Sequence, residues 1–434
     1  MRHYSGHDLM DKDGGSLPWG TFLFLFAIFY FATWYDLFYT TRDPATAQEI
    51  GMLINKGLLS RRIALFVLGG FGLFNLLFRT PKKGARVDYL GLLIFGYIFW
   101  AIISVSWSDE KILTLRKVIA MVMLWAGAAW IAARYSIRDI SFFVVFSGLA
   151  TIVLGVVSEA YFGTFHPFDI SYRFAGLFHA NTQGINCAVL AIACFSLSKS
   201  EKRWKSMFNI MTIVAFIFIF LTKSRTSFAS AFVVIGAYWV ITSSKRHKMT
   251  FLAIAICLGC IFVLLFGDNI FAFINKTTYV GRDASDLDTL SLRMPLWQEC
   301  LRFVAQQPIL GSGYDSFWTP RRVMQISLRE GWDVPHSHSG YIDLALGVGI
   351  IGLFAFVSIL CMAGKRALFL YFRTEDCGYL YCFSMILWLC LEMSFEIVNI
   401  HPFIANFVCI IAILKMSFWN IQTLAKPKEM RAIH

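Results

Sequence analysis

Charge is scarce in this sequence. Only 15% of its 434 residues are Asp, Glu, Lys or Arg, where a water-soluble globular chain carries about 25%. That shortfall excludes an ordinary cytosolic enzyme, and a hydrophobic content of 57% excludes disorder. Acids are the scarcer sign, 27 against 39 Lys and Arg, which leaves a net charge of +12. A disulfide framework is missing as well. Nine of the ten cysteines (Cys187, Cys194, Cys257, Cys260, Cys361, Cys377, Cys382, Cys390 and Cys409) lie in or beside apolar runs, and only Cys300 sits in a long polar segment. Cys257-Leu-Gly-Cys260 has the spacing of a redox motif but lies inside an apolar run, where cysteine packs as a small polarizable side chain. The first sixteen residues hold Asp8, Asp11 and Asp13 and lack a basic region, so a cleavable signal peptide is not expected. No internal repeat is visible.

What the chain has in quantity is apolar runs of about 20 residues, the length that crosses a hydrocarbon core. Mean hydropathy is +0.62. The fold class expected is an all-α polytopic membrane protein with about twelve transmembrane helices. The candidate spans are 17–40, 63–78, 89–107, 118–133, 140–161, 184–198, 207–221, 226–244, 250–274, 339–363, 378–399 and 402–420. Loops after even-numbered spans carry sixteen Lys and Arg, against ten in the longer loops after odd-numbered ones. The positive-inside rule then places both termini and the even loops in the cytoplasm. This asymmetry accounts for a pI of 9.2 without a nucleic-acid partner. Trp19, Trp107, Trp204 and Trp419 fall near span ends, as interfacial aromatics do.

One polar excursion, residues 275–338, divides spans 1–274 from spans 339–434 and falls on the outer side. Within it Leu292, Leu296, Cys300, Leu301 and Val304 mark an amphipathic helix lying on the bilayer or on the bundle. Pro308-Ile-Leu-Gly-Ser-Gly313 makes a turn, and Pro335-His-Ser-His338 closes the segment. Loops of this length in compact proteins usually carry function.

The ionisable residues hardest to explain as solvated charge gather on the same outer side. Arg173 opens Arg173-Phe-Ala-Gly-Leu-Phe-His-Ala-Asn181, Arg225 sits in the hairpin Lys223-Ser-Arg225-Thr-Ser, and Arg293 opens the amphipathic segment. His336 and His338 stand at the mouth of the tenth span. Each arginine alone reads as a snorkelling anchor, and Lys223 reads that way too. Three arginines and a His pair on one side make a site for an anionic ligand, because the guanidinium fork matches phosphate oxygens. His336-Ser-His338 offers only half a zinc site beside scattered acids (Asp315, Asp333, Asp343). A general base suits it better, since an ordinary imidazole titrates near pH 6.5; a purely structural histidine stays open for either position. Gly347-Val-Gly349-Ile-Ile-Gly352 matches a dinucleotide-binding pattern, but inside an apolar span those glycines instead admit a close helix neighbour.

In order and spacing these stretches resemble the O-antigen ligase and polymerase superfamily of bacterial envelope glycosyltransferases. The resemblance lies in Arg173-Phe-Ala-Gly…Asn181, in Ser224-Arg225-Thr-Ser, in Leu292-Arg-Met-Pro-Leu-Trp297 through Pro308-Ile-Leu-Gly-Ser-Gly-Tyr314, and in His338-Ser-Gly-Tyr341-Ile-Asp343 with its Gly-rich continuation. It implies a multi-span, GT-C-like glycosyltransferase of the bacterial inner membrane with one large structured periplasmic loop. It also implies an undecaprenyl-diphosphate-linked glycan donor, lipid A–core or a second lipid-linked glycan as acceptor, and an inverting transfer with no metal and no cofactor. By that resemblance Arg173 and Arg225 bind the diphosphate, Arg293 does the same or orients the loop, and His338 takes the acceptor proton. Asn181, Tyr341 and His336 complete the substrate-binding set. A ligase is the reading chosen, with an O-antigen or exopolysaccharide polymerase as its nearest rival. A secondary transporter or flippase is the rival from another class; it would need ionisable residues in the bilayer midplane, and Glu392 and Glu396 are the main ones. Glu396 falls toward the outer side, close to the site.

Overall fold

A computed structural model describes residues 18–33, 49, 56–78, 88–169, 171–243, 289–399 and 403–417. Among them thirteen α-helices follow one another: α1 (Trp19–Ala32), α2 (Leu59–Phe78), α3 (Tyr89–Ile103), α4 (Lys111–Arg134), α5 (Ile137–Tyr161), α6 (Ala180–Ser200), α7 (Lys205–Thr222), α8 (Arg225–Thr242), α9 (Thr289–Gln306), α10 (Pro320–Glu330), α11 (Gly340–Thr374), α12 (Cys377–Glu392) and α13 (Ile404–Ser417). No strand occurs among the described residues. Seven helices (α2, α4, α5, α6, α7, α8 and α11) are long and apolar enough to cross a membrane, and α1, α3, α12 and α13 are shorter apolar helices. The chain is a polytopic helical membrane protein.

The outward faces confirm the solvent. On α7, Ile210, Ile213, Ile217 and Phe220 form a helical stripe, each more than half exposed. On α2, Phe66, Phe74 and Phe78 do the same. Water would penalise such stripes, and hydrocarbon does not. Inside, small residues set the packing. Helix α6, rich in Ala, Gly, Cys and Ser, is buried nearly all round by α5, α7, α8, α12 and α13. A Cβ on Gly184 would lie 2.7 Å from Ser224 Cβ, and one on Gly148 of α5 would lie 2.8 Å from Leu190 Cβ, so both glycines are conditions of contact.

Several helix ends differ from the hydropathy spans. Helix α4 starts at Lys111 rather than near 118 because its polar first turns face the loop, where Lys117 pairs with Asp315 at 2.7 Å. Helix α11 runs on to Thr374, past 363, because Arg366 finds Asp88 and the Met416 carbonyl and needs no water. Helix α12 stops at Glu392, not 399, and the chain turns through Met393, whose carbonyl accepts from Gly340 N at 2.8 Å. The candidate span 250–274, with Cys257 and Cys260, lies outside the described residues, as does Trp419.

The described part of the polar excursion, residues 289–338, forms a small helical cap. Leu296 and Cys300 of α9, Phe317 and Trp318, Val323 and Ile326 of α10 and Val334 close over Leu346 of α11. The amphipathic helix therefore lies on the bundle, with Leu296 and Cys300 turned in and Leu301 turned out. Glu299 ties α9 to α10 through Arg329, and Arg302 joins it at 3.2 Å. Thr319 caps α10 by accepting from Arg322 N, ahead of Pro320 in its first turn.

The cap is seated by the glycines of α11. At Gly349 (φ +67°, ψ −175°) the helix breaks into two segments, a conformation that essentially only glycine adopts. The freed backbone is taken by the turn 308–313: Ser312 N donates to Leu346 O at 2.9 Å, Gly313 N to Gly347 O at 2.8 Å, and Ile350 N to Pro308 O at 2.8 Å. Trp100 Nε1 of α3 donates to Val348 O at 2.9 Å, and Trp107 Nε1 to Leu310 O at 3.2 Å. The Gly347–Gly352 pattern serves close approach, as its place in a span requires. Its main partner is this loop rather than another helix.

Candidate active site

Where α5, α6, α9, α11 and α12 end near one another, one carboxylate collects side chains from segments far apart in sequence. Glu396, four residues beyond the end of α12, is almost fully buried. Its Oε1 accepts from Asn181 Nδ2 at 3.1 Å and lies 3.4 Å from Arg293 Nη2, while its Oε2 lies 3.9 Å from His338 Nδ1. Burial pushes this carboxyl up, but His338, Arg293 and His179 outweigh it and hold it below the usual carboxylate range.

Each partner is placed by its own local structure. The segment carrying Arg173 is latched to α5 by Glu159, a buried carboxylate that accepts from the Tyr172 hydroxyl, from Ala175 N at 2.9 Å and from Gly176 N at 2.7 Å. Gly176 (φ +60°) meets Gly155 of α5 backbone to backbone. Phe174 N donates to Leu221 O at 2.8 Å, which brings Arg173 to the α7–α8 turn. There its Nε donates to Thr222 O at 3.3 Å and its Nη2 to Asn181 Oδ1 at 3.1 Å. Asn181 thus bridges Arg173 and Glu396. His179 caps α6 by accepting from Asn181 N at 3.2 Å.

Arg293 comes from the first turns of α9 and also donates to the Phe395 carbonyl at 2.9 Å, fixing the turn that carries Glu396. The His pair stands on a rigid bend. Trp297 Nε1 donates to Ser337 O at 2.9 Å, Ser339 N to Ser337 Oγ at 3.1 Å, and His338 N to His336 Nδ1 at 3.2 Å. His338 adopts φ +55°, a left-handed conformation costly for a non-glycine residue. The two imidazoles lie 4.1 Å apart, and Trp332 lies 5.8 Å from His338.

Two expected site residues stand apart from this cluster. Arg225 opens α8 as an exposed residue, three positions after Thr222, whose carbonyl holds Arg173. Tyr341 turns its hydroxyl to the Cys390 carbonyl at 2.8 Å, joining α11 to α12. Below the cluster Glu392 is fully buried, accepting from Ser227 Oγ at 2.9 Å and Ser230 Oγ at 2.6 Å. Asp343 accepts from Trp318 Nε1 at 2.9 Å and so anchors the cap. Among the described residues no three His, Cys, Asp or Glu side chains are grouped as metal ligands. Glu159 carried no sequence signal, and His179 stood in the Arg173–Asn181 stretch without a role of its own; their roles appear only once Tyr172, Ala175, Gly176 and Asn181 are seen around them.

A cluster of arginines, imidazoles and one carboxylate, roofed by a small helical cap, suits an anionic substrate whose group transfer needs a base. Residues 210–357, from α7 into α11, match the family model described as O-Antigen ligase. The likeness is to the O-antigen ligase and polymerase superfamily. That stretch contains Arg225, Arg293, His336, His338 and Tyr341, while Arg173, Asn181 and Glu396 lie outside it. The exopolysaccharide production protein ExoQ of Rhizobium meliloti (strain 1021) is 24% identical over 318 residues, which cover 68% of this chain and 70% of that protein. Together the two support an O-antigen ligase- or polymerase-like function in a multi-pass membrane protein.

Proposed function

We propose that this ligase-like protein transfers an undecaprenyl-diphosphate-linked glycan en bloc to an acceptor on the periplasmic face of the bacterial inner membrane. The observation that carries the reading is the convergence of Arg173, Asn181, Arg293, His338 and Glu396 beneath the α9–α10 cap. Twelve spans with cytoplasmic termini, and a cap on the outer side, complete the picture; the charge asymmetry of the loops supports this orientation.

The chemistry follows from the groups present. The acceptor hydroxyl oxygen attacks the anomeric carbon from the side opposite the diphosphate, inverting it. The carbon–oxygen bond to the diphosphate breaks and leaves its electron pair on that oxygen. The hydroxyl proton passes to His338. Arg173, bonded to the last residue of α7, and Arg225, which opens α8, stabilise the charge that gathers on the leaving diphosphate. Arg293 holds the Glu396 turn, which favours orientation of the loop over direct diphosphate binding. The left-handed backbone at His338 and its approach to Glu396 favour His338 over His336 as the base. Because a lipid diphosphate is already an activated leaving group, the reaction draws on no nucleotide or metal.

Ligation is the first reading for the acceptor, as the matched family's description suggests. Likeness to an exopolysaccharide production protein over two thirds of the chain favours polymerisation as the second. A chromosomal deletion followed by gel analysis of surface polysaccharide separates them. Loss of polymer from lipid A–core with lipid-linked chains retained means ligase; products one repeat long mean polymerase.

A further inference from the structure

Among the described residues Glu396 is the one carboxylate that His338 faces at ion-pair distance, and three separate chain segments converge on it. Its neighbour Glu392, one helical turn earlier, is committed to Ser227 and Ser230. His338 Nδ1 is buried and makes no hydrogen bond, and the Glu396 oxygen stands 3.9 Å away. A neutral imidazole carries a single N–H. If that proton sits on Nδ1, toward the carboxylate, Nε2 is the atom that accepts.

Resting on the glycan-transfer reading above, we infer that Glu396 is a positioning residue: its carboxylate sets the tautomer and direction of His338, presenting Nε2 to the acceptor hydroxyl, while holding Arg293 and Asn181 in the same frame. As the new carbon–oxygen bond forms, the hydroxyl proton moves to Nε2 and the leaving pair moves to the diphosphate. The imidazolium that results lies against the Glu396 carboxylate, which stays ionised throughout. The arrangement has the logic of a base oriented by an acid, a combination that recurs on unrelated folds. His338 first, then Arg293 and His179, keep the carboxylate charged despite its burial, and Asn181 relays its position to Arg173.

The test uses the full chain in proteoliposomes, with an undecaprenyl-diphosphate-linked repeat unit of the host's own surface polysaccharide as donor. Glu396→Gln is expected to lower kcat by about 10²-fold and leave the donor KM within about threefold, whereas Glu396→Asp recovers much of the loss. In a His338→Ala background Glu396→Gln is expected to cost no more than about twofold further, because the two residues act as a unit. If Glu396→Gln fails to insert, Glu396→Asn, which also removes the charge, carries the same comparison in both backgrounds. Equal losses with and without His338 would overturn the positioning role and leave the base intact. Full activity in His338→Ala would remove the base itself, and the role of Glu396 with it. A rise in KM alone would make Glu396 a donor-binding group and also overturn the inference.

Discussion

At the scale of single residues, the account depends on the difference between charge and shape. Arg173 makes directional bonds to Thr222 O and Asn181 Oδ1, and a diphosphate needs forks rather than point charges. Arg173→Lys and Arg225→Lys are each expected to lose most transfer activity while inserting normally, measured by polymer formation against membrane protein level. Wild-type activity in both would reduce them to interface anchors. For the imidazoles, His338→Ala should cost at least about 10²-fold in turnover, and His336→Ala much less. The reverse order would move the base by two residues. Sequence singled out Arg173, Arg293 and His338 because those residue types are hard to explain as solvated charge, and Asn181 through the family resemblance; the structure groups them. Glu396 was visible only as an ionisable residue near the outer side. What makes it a hub is contact with residues 58, 103 and 215 positions away, which no local pattern encodes.

At the scale of elements, the break in α11 joins membrane bundle to cap. A methyl group at Gly349 would sit 2.0 Å from the Ile309 carbonyl oxygen and would demand φ +67° of a residue with a Cβ. Gly349→Ala is expected to destabilise the folded protein by about 3 kcal/mol or more, read as a large drop in the thermal midpoint in detergent. Gly236→Ala on α8, where the new methyl meets nothing, should leave the midpoint unchanged or slightly raised. Similar midpoints for both variants would mean that the turn 308–313 does not dock on α11. Helix existence and order were legible from apolar runs, since α2 through α8 and α11 through α13 fall on their expected spans. Helix ends were not, because Lys117, Arg366 and the Met393 turn find partners from remote segments that hydropathy cannot see. The Gly347–Gly352 pattern announced close approach without saying what approaches, since the docking turn lies some 40 residues earlier and is bonded through backbone alone.

At the scale of the whole molecule, everything turns on which side of the membrane the cap faces. Leu328 on α10 is largely exposed, so a cysteine there reports on the cap. Leu328→Cys is expected to react with a membrane-impermeant thiol reagent in intact cells with a permeabilised outer membrane, above the wild-type background. Labelling only after lysis would invert the topology and end the periplasmic mechanism. The central claim is that the clustered arginines and His338 break a glycan–diphosphate bond rather than pass the lipid-linked glycan across the bilayer. The most direct measurement follows the radiolabelled lipid of an undecaprenyl-diphosphate-linked glycan in proteoliposomes that contain the purified protein and an acceptor. The account predicts release of free undecaprenyl diphosphate in step with glycan on the acceptor, and loss of both in His338→Ala. Donor that changes leaflet with its glycan–diphosphate bond intact would contradict it.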